Sequence, residues 1–195
     1  MSGERRAAPA REAPVRLETE RLVLLRPKHE DLDELAALLG DPRVGRWLGG
    51  TVDLEAASAF LARHIAHWDA HGFGLWTARD RGTGTFIGRG GLHTTLVDGG
   101  AEVEVGWAMV PDRWNEGLAT ELGAAALRVA ATGLGLEQVI SFTLPDNRAS
   151  RRIMEKLGLR IEREFDHRGL PHMLYRGPTR PARPTTPGPA AAPEA

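Results

Sequence analysis

Cysteine is absent from this 195-residue chain, and tyrosine occurs once, at Tyr175. Without cysteine the chain has no disulfide, no catalytic thiol and no cysteine-ligated zinc site. It also lacks a run of 18 apolar residues, so no membrane-spanning helix is expected. Residues 1–14 lack the apolar segment of a secretory signal. We therefore expect a cytoplasmic protein.

Excess charge of one sign is also missing. The chain has 25 Lys and Arg residues against 26 Asp and Glu residues, which leaves a net charge of −1. Nucleic-acid-binding proteins usually carry a basic excess, because phosphate contacts supply much of their affinity. We therefore expect neither nucleic acid nor membrane as a partner. The composition does not indicate the oligomeric state.

The length fits one domain with tails. Residues 1–16 and 177–195 are rich in Ala, Pro and charged residues and have no apolar periodicity, so we expect both segments to be disordered. Residues 17–176 are the expected folded domain.

Within that domain, apolar residues recur with a period of two in some segments and with helical spacing in others. The expected strands are Leu22–Arg26, Leu75–Arg79, Thr85–Thr95, Ala101–Val110, Gln138–Leu144, Leu159–Phe165 and Met173–Arg176. The expected helices begin near Leu32, Leu54, Leu118 and Ser150, and Asp41-Pro42 is interpreted as the break after the first.

The strand at Ala101–Val110, a helix and the strand at Gln138–Leu144 predict a right-handed crossover that joins two parallel strands. The remaining strands follow one another as hairpins. The predicted fold class is α/β (α+β), with a mixed, mostly antiparallel central sheet flanked by helices and one parallel strand pair.

The segment Val110–Glu121 leads from a predicted strand into a predicted helix. Gly117 and Ala119 are small, so a ligand can approach the backbone amides closely. Unpaired N–H groups at a helix N-terminus usually bind phosphate. We interpret this loop as a phosphate site, and an ordinary strand-to-helix turn is the alternative.

Five segments carry a family resemblance: Thr19–Arg26, Gly72–Trp76, Ile87–Leu92, Trp114-x-x-Gly117-x-Ala119 and Asn147–Leu159. In this order they resemble the GCN5-related N-acetyltransferase (GNAT) superfamily, and in particular its branch of ribosomal-protein N-terminal (RimJ/RimL-like) acetyltransferases. The resemblance extends over about residues 17–176.

The resemblance implies a GNAT-like fold whose parallel strands splay apart to hold acetyl-CoA, the acetyl donor. The pyrophosphate would bind at the loop, and the pantetheine arm would pair with backbone near the end of the preceding strand. The implied cofactor-binding residues are Met109, Val110, Asn115, Glu116, Gly117, Leu118, Ala119, Thr120 and Asn147. Trp114 occupies a position where the superfamily pattern has Gln or Arg, which suggests packing.

The family reaction needs a base for the amine and an acid for the leaving thiolate. Glu104 is the first candidate for the base, and Glu102, on the same strand face, is the second. Met154 stands where many members have a tyrosine acid, and a thioether donates no proton. Ser150 is therefore the candidate acid, with helix capping as the alternative, and Tyr175 is a weaker one.

His64, His67 and His71 share one helix face, but no carboxylate or cysteine completes a site, so no metal is expected.

The resemblance implies an enzyme that acetylates a primary amine, and a protein or peptide N-terminal α-amine is the first expectation. The alternatives are a small-molecule amine (an aminoglycoside, an amino acid or a polyamine) and a non-catalytic module that binds acetyl-CoA.

Overall fold

A computed structural model describes residues 12–180 of the chain. The strands are β1 (Arg16–Glu18), β2 (Leu22–Leu25), β3 (Leu75–Asp80), β4 (Phe86–Val97), β5 (Gly100–Met109), β6 (Gln138–Thr143), β7 (Arg160–His167) and β8 (Leu170–Pro178). The helices are α1 (Leu32–Gly40), α2 (Pro42–Leu48), α3 (Leu54–His71), α4 (Leu118–Val129) and α5 (Arg148–Lys156), and a π-helical turn, Ala130–Leu134, extends α4. None of these helices is long and apolar enough to cross a membrane.

The strands form one sheet in the order β1-β2-β3-β4-β5-β6-β8-β7. All neighbours are antiparallel except β5 and β6, which are parallel and joined through α4. The predicted mixed sheet with one parallel pair is therefore confirmed. A crossover helix is needed here because parallel neighbours cannot be joined by a tight turn.

Helices cover both faces of the sheet. On one face, α4 buries an apolar stripe that includes Leu122 and Ala126. A Cβ at Gly90 would lie only 2.6 Å from a methyl carbon of Leu122, so the glycine in β4 lets α4 approach the sheet closely. On the other face, α1, α2 and α3 pack against Phe86 and Ala108.

Helix α2 was not predicted from the sequence. Asp41 and Pro42, interpreted as a break after α1, instead begin a new helix. The Asp41 carboxylate accepts a hydrogen bond from the Arg43 N–H at 2.8 Å, and Pro42 occupies the first helical position. Proline is favoured there because that position has no intrahelical N–H bond to lose.

Packed structure extends beyond the expected domain boundaries at residues 17 and 176. Ala13 is buried and its N–H donates to the Gly72 carbonyl, and the Trp76 indole donates to the carbonyl of Pro14. Beyond the other boundary, Thr179 is buried. These segments are held largely by backbone hydrogen bonds, which leave no apolar periodicity in the sequence. The disorder expected for residues 1–11 and 181–195 concerns segments outside the described residues, and the three-part division stays a prediction.

Candidate active site

A cavity of about 1340 Å³ opens where β5 and β6 separate. The two strands share a single registered pair, Glu104 with Ile140. Beyond that pair, Met109 on β5 and Thr143 on β6 line the cavity. The predicted splay of the parallel strands is therefore present, and it opens towards the N-terminus of α4.

The loop that enters α4 has an unusual backbone. Asn115 and Gly117 both have positive φ angles, 66° and 80°. Glycine adopts this left-handed conformation without a steric penalty, and asparagine tolerates it better than most residues. A Cβ at Gly117 would meet only Arg21, at 3.6 Å, so the backbone conformation, rather than space, requires glycine.

These turns leave the loop's backbone amides unpaired. Within the described part of the chain, no N–H group of residues 115–120 has a hydrogen-bond acceptor. Together with the positive end of the α4 dipole, these donors suit an anion. The loop therefore fits the pyrophosphate of coenzyme A.

Side chains just before β2 and in the first turn of α4 hold the loop that enters α4 in place. Arg21 donates to the Glu116 carbonyl at 2.8 Å and pairs with the Glu121 carboxylate at 2.7 Å. The Thr19 hydroxyl donates to the same carboxylate at 2.6 Å. These contacts join the start of β2 to the first turn of α4, so the loop geometry is fixed by the protein itself.

Seven of the nine residues expected to bind the cofactor line the cavity: Met109, Asn115, Gly117, Leu118, Ala119, Thr120 and Asn147. Val110 and Glu116 do not. The Val110 N–H donates to the Ile87 carbonyl, and its side chain packs with the cluster of α1, α2 and α3. The Glu116 carboxylate pairs with Arg113 at 2.9 Å.

Trp114 packs over the end of β5, as the sequence suggested. Its indole N–H donates to the Met109 carbonyl at 2.8 Å. Because backbone bonding directions alternate along a strand and Val110 bonds to β4, the amides of Met109 and Trp107 face the splay instead. This strand edge is available to an extended ligand such as pantetheine.

The structure separates the two candidate bases, although both lie on the same face of β5. Glu102 is held by Arg176 through two hydrogen bonds, of 2.9 and 3.1 Å. Glu104 is buried at the start of the splay, where its carboxylate lies 3.3 Å from the Nε2 atom of His93. Of the two carboxylates, only that of Glu104 lines the cavity.

Burial also changes the acidity of Glu104. Loss of hydration raises the pKa of its carboxyl to about 8, although the positive charge of Arg89 acts in the opposite direction. A carboxylate with such a pKa is a far stronger base than an exposed glutamate. It can therefore accept a proton from an amine near neutral pH.

Ser150 reaches the cavity from the first turn of α5. Its backbone N–H donates to the Asn147 side chain at 3.1 Å, so Asn147 caps the helix. The Asn147 amide also donates to Thr143 at 3.0 Å. The Ser150 hydroxyl itself has no hydrogen-bond partner among residues 12–180, which leaves it available to a ligand.

Tyr175, the weaker candidate acid, lies outside the cavity lining. Tyr175 is buried, and its hydroxyl accepts a hydrogen bond from Arg151 at 2.9 Å and contacts Glu155. Met154 is part of the same apolar core. Neither Tyr175 nor Met154 lines the cavity, whereas Ser150 does.

The three histidines of α3 do not act together. His67 donates through Nδ1 to the Phe73 carbonyl at 2.8 Å and accepts at Nε2 from the Thr94 N–H. His71 stacks against His67, and His64 faces the cavity instead. Residues 12–180 contain no group of three or more side chains placed to hold a metal.

Sequence reasoning missed the wall of the cavity opposite the loop. Arg89 and His93 lie on β4 facing β5, and His64 and Phe60 reach the same space from α3. The available signal was alternation, because Arg89 and His93 occupy one face of an otherwise apolar strand. That signal does not reveal that Glu104 shares this face.

The acetyltransferase (GNAT) domain model matches residues 21–160. The chain is 27% identical over 148 residues to the uncharacterized N-acetyltransferase YoaA of Bacillus subtilis. The aligned residues cover 75% of this chain and 83% of YoaA. It is similar in structure to an acetyltransferase from Agrobacterium tumefaciens, with a TM-score of 0.74, 26% identity and coverage of 88% and 98% of the two chains.

A more distant neighbour is the ribosomal L7/L12 α-N-protein acetyltransferase RimL in complex with coenzyme A. Its TM-score is 0.67 at 13% identity, with coverage of 84% of this chain and 95% of that one. At 13% identity, this similarity shows only that the two chains share a fold. Because the GNAT domain model covers well over half of the sequence, the chain belongs to the GNAT family of acetyl-CoA-dependent N-acetyltransferases.

Proposed function

We propose that the protein acetylates the α-amino group at the N-terminus of a protein or peptide. The observation that carries the proposal is the Glu104 carboxyl, which is buried at the start of the splay and lines the cavity; its raised pKa, about 8, suits an α-amine, whose pKa is about 7.7–8.0. A lysine amine, with a pKa of about 10.4, is a poor match for this base. General-base catalysis is most effective when the pKa of the base lies near the operating pH.

Acetyl-CoA supplies an activated acyl group as a thioester. The amides of residues 117–120 hold its pyrophosphate, and the free edge of β5 near Met109 aligns the pantetheine arm. Both contacts direct the thioester towards the point where β5 and β6 separate, beside Glu104. Holding both reactants in this geometry lowers the entropic cost of their reaction.

In its ionised form, about a tenth of the population at pH 7 and half at pH 8, Glu104 removes a proton from the acceptor ammonium, either directly or through a water molecule. The neutral amine then attacks the thioester carbonyl carbon, so that a C–N bond forms and the C–S bond breaks. The neighbouring His93 is neutral at pH 7, because burial, and then the charge of Arg89, lower its pKa to about 4. It therefore does not compete with the incoming ammonium for the negative charge of Glu104.

Ser150 supports the leaving thiolate. Its hydroxyl lines the cavity and has no bonding partner in the described part of the chain, so it can donate a hydrogen bond to the sulfur. The thiolate is then neutralised by the surplus proton that the newly formed amide nitrogen releases. Asn147 fixes the backbone of Ser150 and acts as a positioning residue.

The resemblance to the RimJ/RimL-like branch supports this choice of acceptor. RimL, which shares the fold, is itself named as an α-N-protein acetyltransferase. An α-amine is about half deprotonated near pH 8, so it needs less help from a base than a lysine amine does.

A peptide with a free α-amine and one lysine tests the proposal. After incubation with acetyl-CoA at pH 7, fragment mass spectrometry should place the acetyl group on the α-amine, and the Glu104→Gln variant should form much less product. An Nα-blocked peptide with the same lysine is the control. Acetylation that falls mainly on lysine would contradict the proposal.

A further inference from the structure

Arg89 faces the cavity from β4 and forms no ion-pair contact within residues 12–180, although the charge of Glu104 favours its charged form. In the described part of the chain, no carboxylate oxygen lies within 4.0 Å of its guanidinium. Its guanidinium carbon lies 4.9 Å from the centre of the Phe60 ring, on α3. By contrast, Arg176 on β8 is fully occupied by Glu102 and Glu162. A buried guanidinium without such a partner is costly, which suggests that its partner is a ligand.

Three buried side-chain nitrogens in this wall have no hydrogen-bond partner within residues 12–180: Nε of Arg89, Nδ1 of His64 and Nδ1 of His93. They are close together: the rings of His64 and His93 are 5.9 Å apart, and the Phe60 ring lies 4.2 Å from the His64 ring and 4.9 Å from the Arg89 guanidinium. Buried polar groups are nearly always paired, so three unpaired nitrogens around one space indicate a polar ligand.

Of the three residues with unpaired nitrogens, only Arg89 is charged at pH 7. Burial is the main cause that lowers the pKa of His64 to about 3 and that of His93 to about 4, so both rings are neutral at pH 7. Burial also lowers the pKa of Arg89, but only to about 10, so its guanidinium remains charged. The three unpaired nitrogens therefore belong to one guanidinium with a fixed positive charge and two neutral imidazoles.

We propose that Arg89, assisted by His64 and His93, binds a carboxylate of the acceptor molecule, so that the preferred α-amine carries a carboxylate close to it. This inference rests on the proposed α-amine acetylation. An acidic side chain at the start of a peptide and the α-carboxylate of a free amino acid present the same chemistry. The planar guanidinium fork matches a carboxylate in two parallel hydrogen bonds.

Charge balance supports an acceptor of this kind. The ammonium must approach Glu104, which lies on the same sheet face as Arg89 across the β4–β5 ladder. A simple amine would bring a second cation next to Arg89 in a poorly hydrated space, where repulsion is strong. An acceptor with both charges places its ammonium by Glu104 and its carboxylate by Arg89.

Isosteric acceptor pairs test the inference. We would titrate Asp- and Asn-initiated peptides, and alanine and alaninamide, into the protein in the presence of coenzyme A, and then measure acetylation rates with acetyl-CoA. Wild type should favour the carboxylate member by about tenfold or more in affinity, since charge-assisted hydrogen bonds are the stronger ones. Preference within the peptide pair or the amino-acid pair identifies which source supplies the carboxylate.

Arg89→Gln should remove that preference by weakening binding of the carboxylate member alone, and Arg89→Lys should retain part of it. Arg63→Gln is the matched control, because Arg63 also lines the cavity next to the same Phe60 ring but is exposed and has no buried unpaired nitrogen. Equal losses for both members in Arg89→Gln would show that Arg89 acts through Glu104, and would overturn the inference. Calorimetry measures the preference for a carboxylate even if α-amines are not acetylated. The acetylation rates test the proposed function separately.

Discussion

The two walls of the cavity are built in different ways. The loop wall, residues 115–120, offers backbone N–H groups, and its shape depends on the positive φ angles of Asn115 and Gly117. The opposite wall offers side chains from three separate elements, among them Glu104, Arg89 and His64. One wall is therefore defined by backbone conformation, and the other by burial and charge.

This difference predicts how each wall responds to substitution. Backbone donors survive most side-chain changes, so the loop should fail only when its conformation changes or its space is filled. The side-chain wall should instead respond to conservative changes that remove a charge without altering shape. Its properties should also depend on pH, because burial has moved the pKa values of Glu104, His64 and His93.

The largest expected effect is at Gly117. Gly117→Glu should abolish measurable acetyl-CoA binding, a loss of about 100-fold or more, because it places a carboxylate among amides that bind phosphate. Calorimetry with the folded variant checks this. Gly117→Ala is the control, since it has the same backbone strain, about 1–2 kcal/mol, without the charge. Equal losses in both variants would mean that strain alone explains the effect.

The second effect concerns stability and pH. The folded-state pKa of Glu104, about 8, lies above its ordinary value, so between about pH 4.5 and 8 the folded protein keeps a proton that the unfolded chain loses. Its free energy of unfolding therefore falls as pH rises through this window. Glu104→Gln removes this fall, so relative to wild type it should gain about 2–4 kcal/mol between pH 5 and pH 9.

Chemical denaturation at the two pH values measures that gain. The matched control is Glu102→Gln, which removes a carboxylate of the same strand that is paired with Arg176. This variant should be less stable than wild type and should show no comparable gain at high pH. A constant difference between Glu104→Gln and wild type would contradict the assigned shift.

The smallest effect is expected at Ser150, which approaches the cavity from α5. Ser150→Ala should lower kcat by about tenfold, the loss of roughly one hydrogen bond to the leaving group, with little change in KM for either substrate. Steady-state kinetics checks this split, and Ser150→Thr, which keeps a hydroxyl, should recover part of the rate. A rise in KM with unchanged kcat would assign Ser150 to cofactor binding.

Much of the loop wall could be predicted from the sequence because its determinants are local. A strand end, Gly117, Ala119 and an amphipathic helix lie within a dozen residues, and the structure has the same order. Val110 and Glu116 lie outside the cavity because strand alternation and a local ion pair with Arg113 turn them away. Neither property is visible in a loop motif.

The side-chain wall could be predicted only in part. Glu104 could be selected as a candidate from its strand position, but its difference from Glu102 depends on Arg176, which is distant in sequence. Arg89 meets Phe60, and His93 meets His64, only because α3 packs across β4. Single-sequence periodicity gives the face of each element, but it does not give the partner that the face contacts.

The central claim is that Glu104 removes the acceptor proton, and its pH profile tests this most directly. We expect Glu104→Gln to lower kcat/KM for an α-amine acceptor by about ten- to a thousandfold at pH 7, the range for a lost general base. Measured from pH 6 to pH 9, this loss should shrink once the pH passes the pKa of the amine, because the acceptor is then already deprotonated. A Glu104→Gln enzyme with wild-type rates throughout this range would contradict the account and leave Glu104 with a structural role.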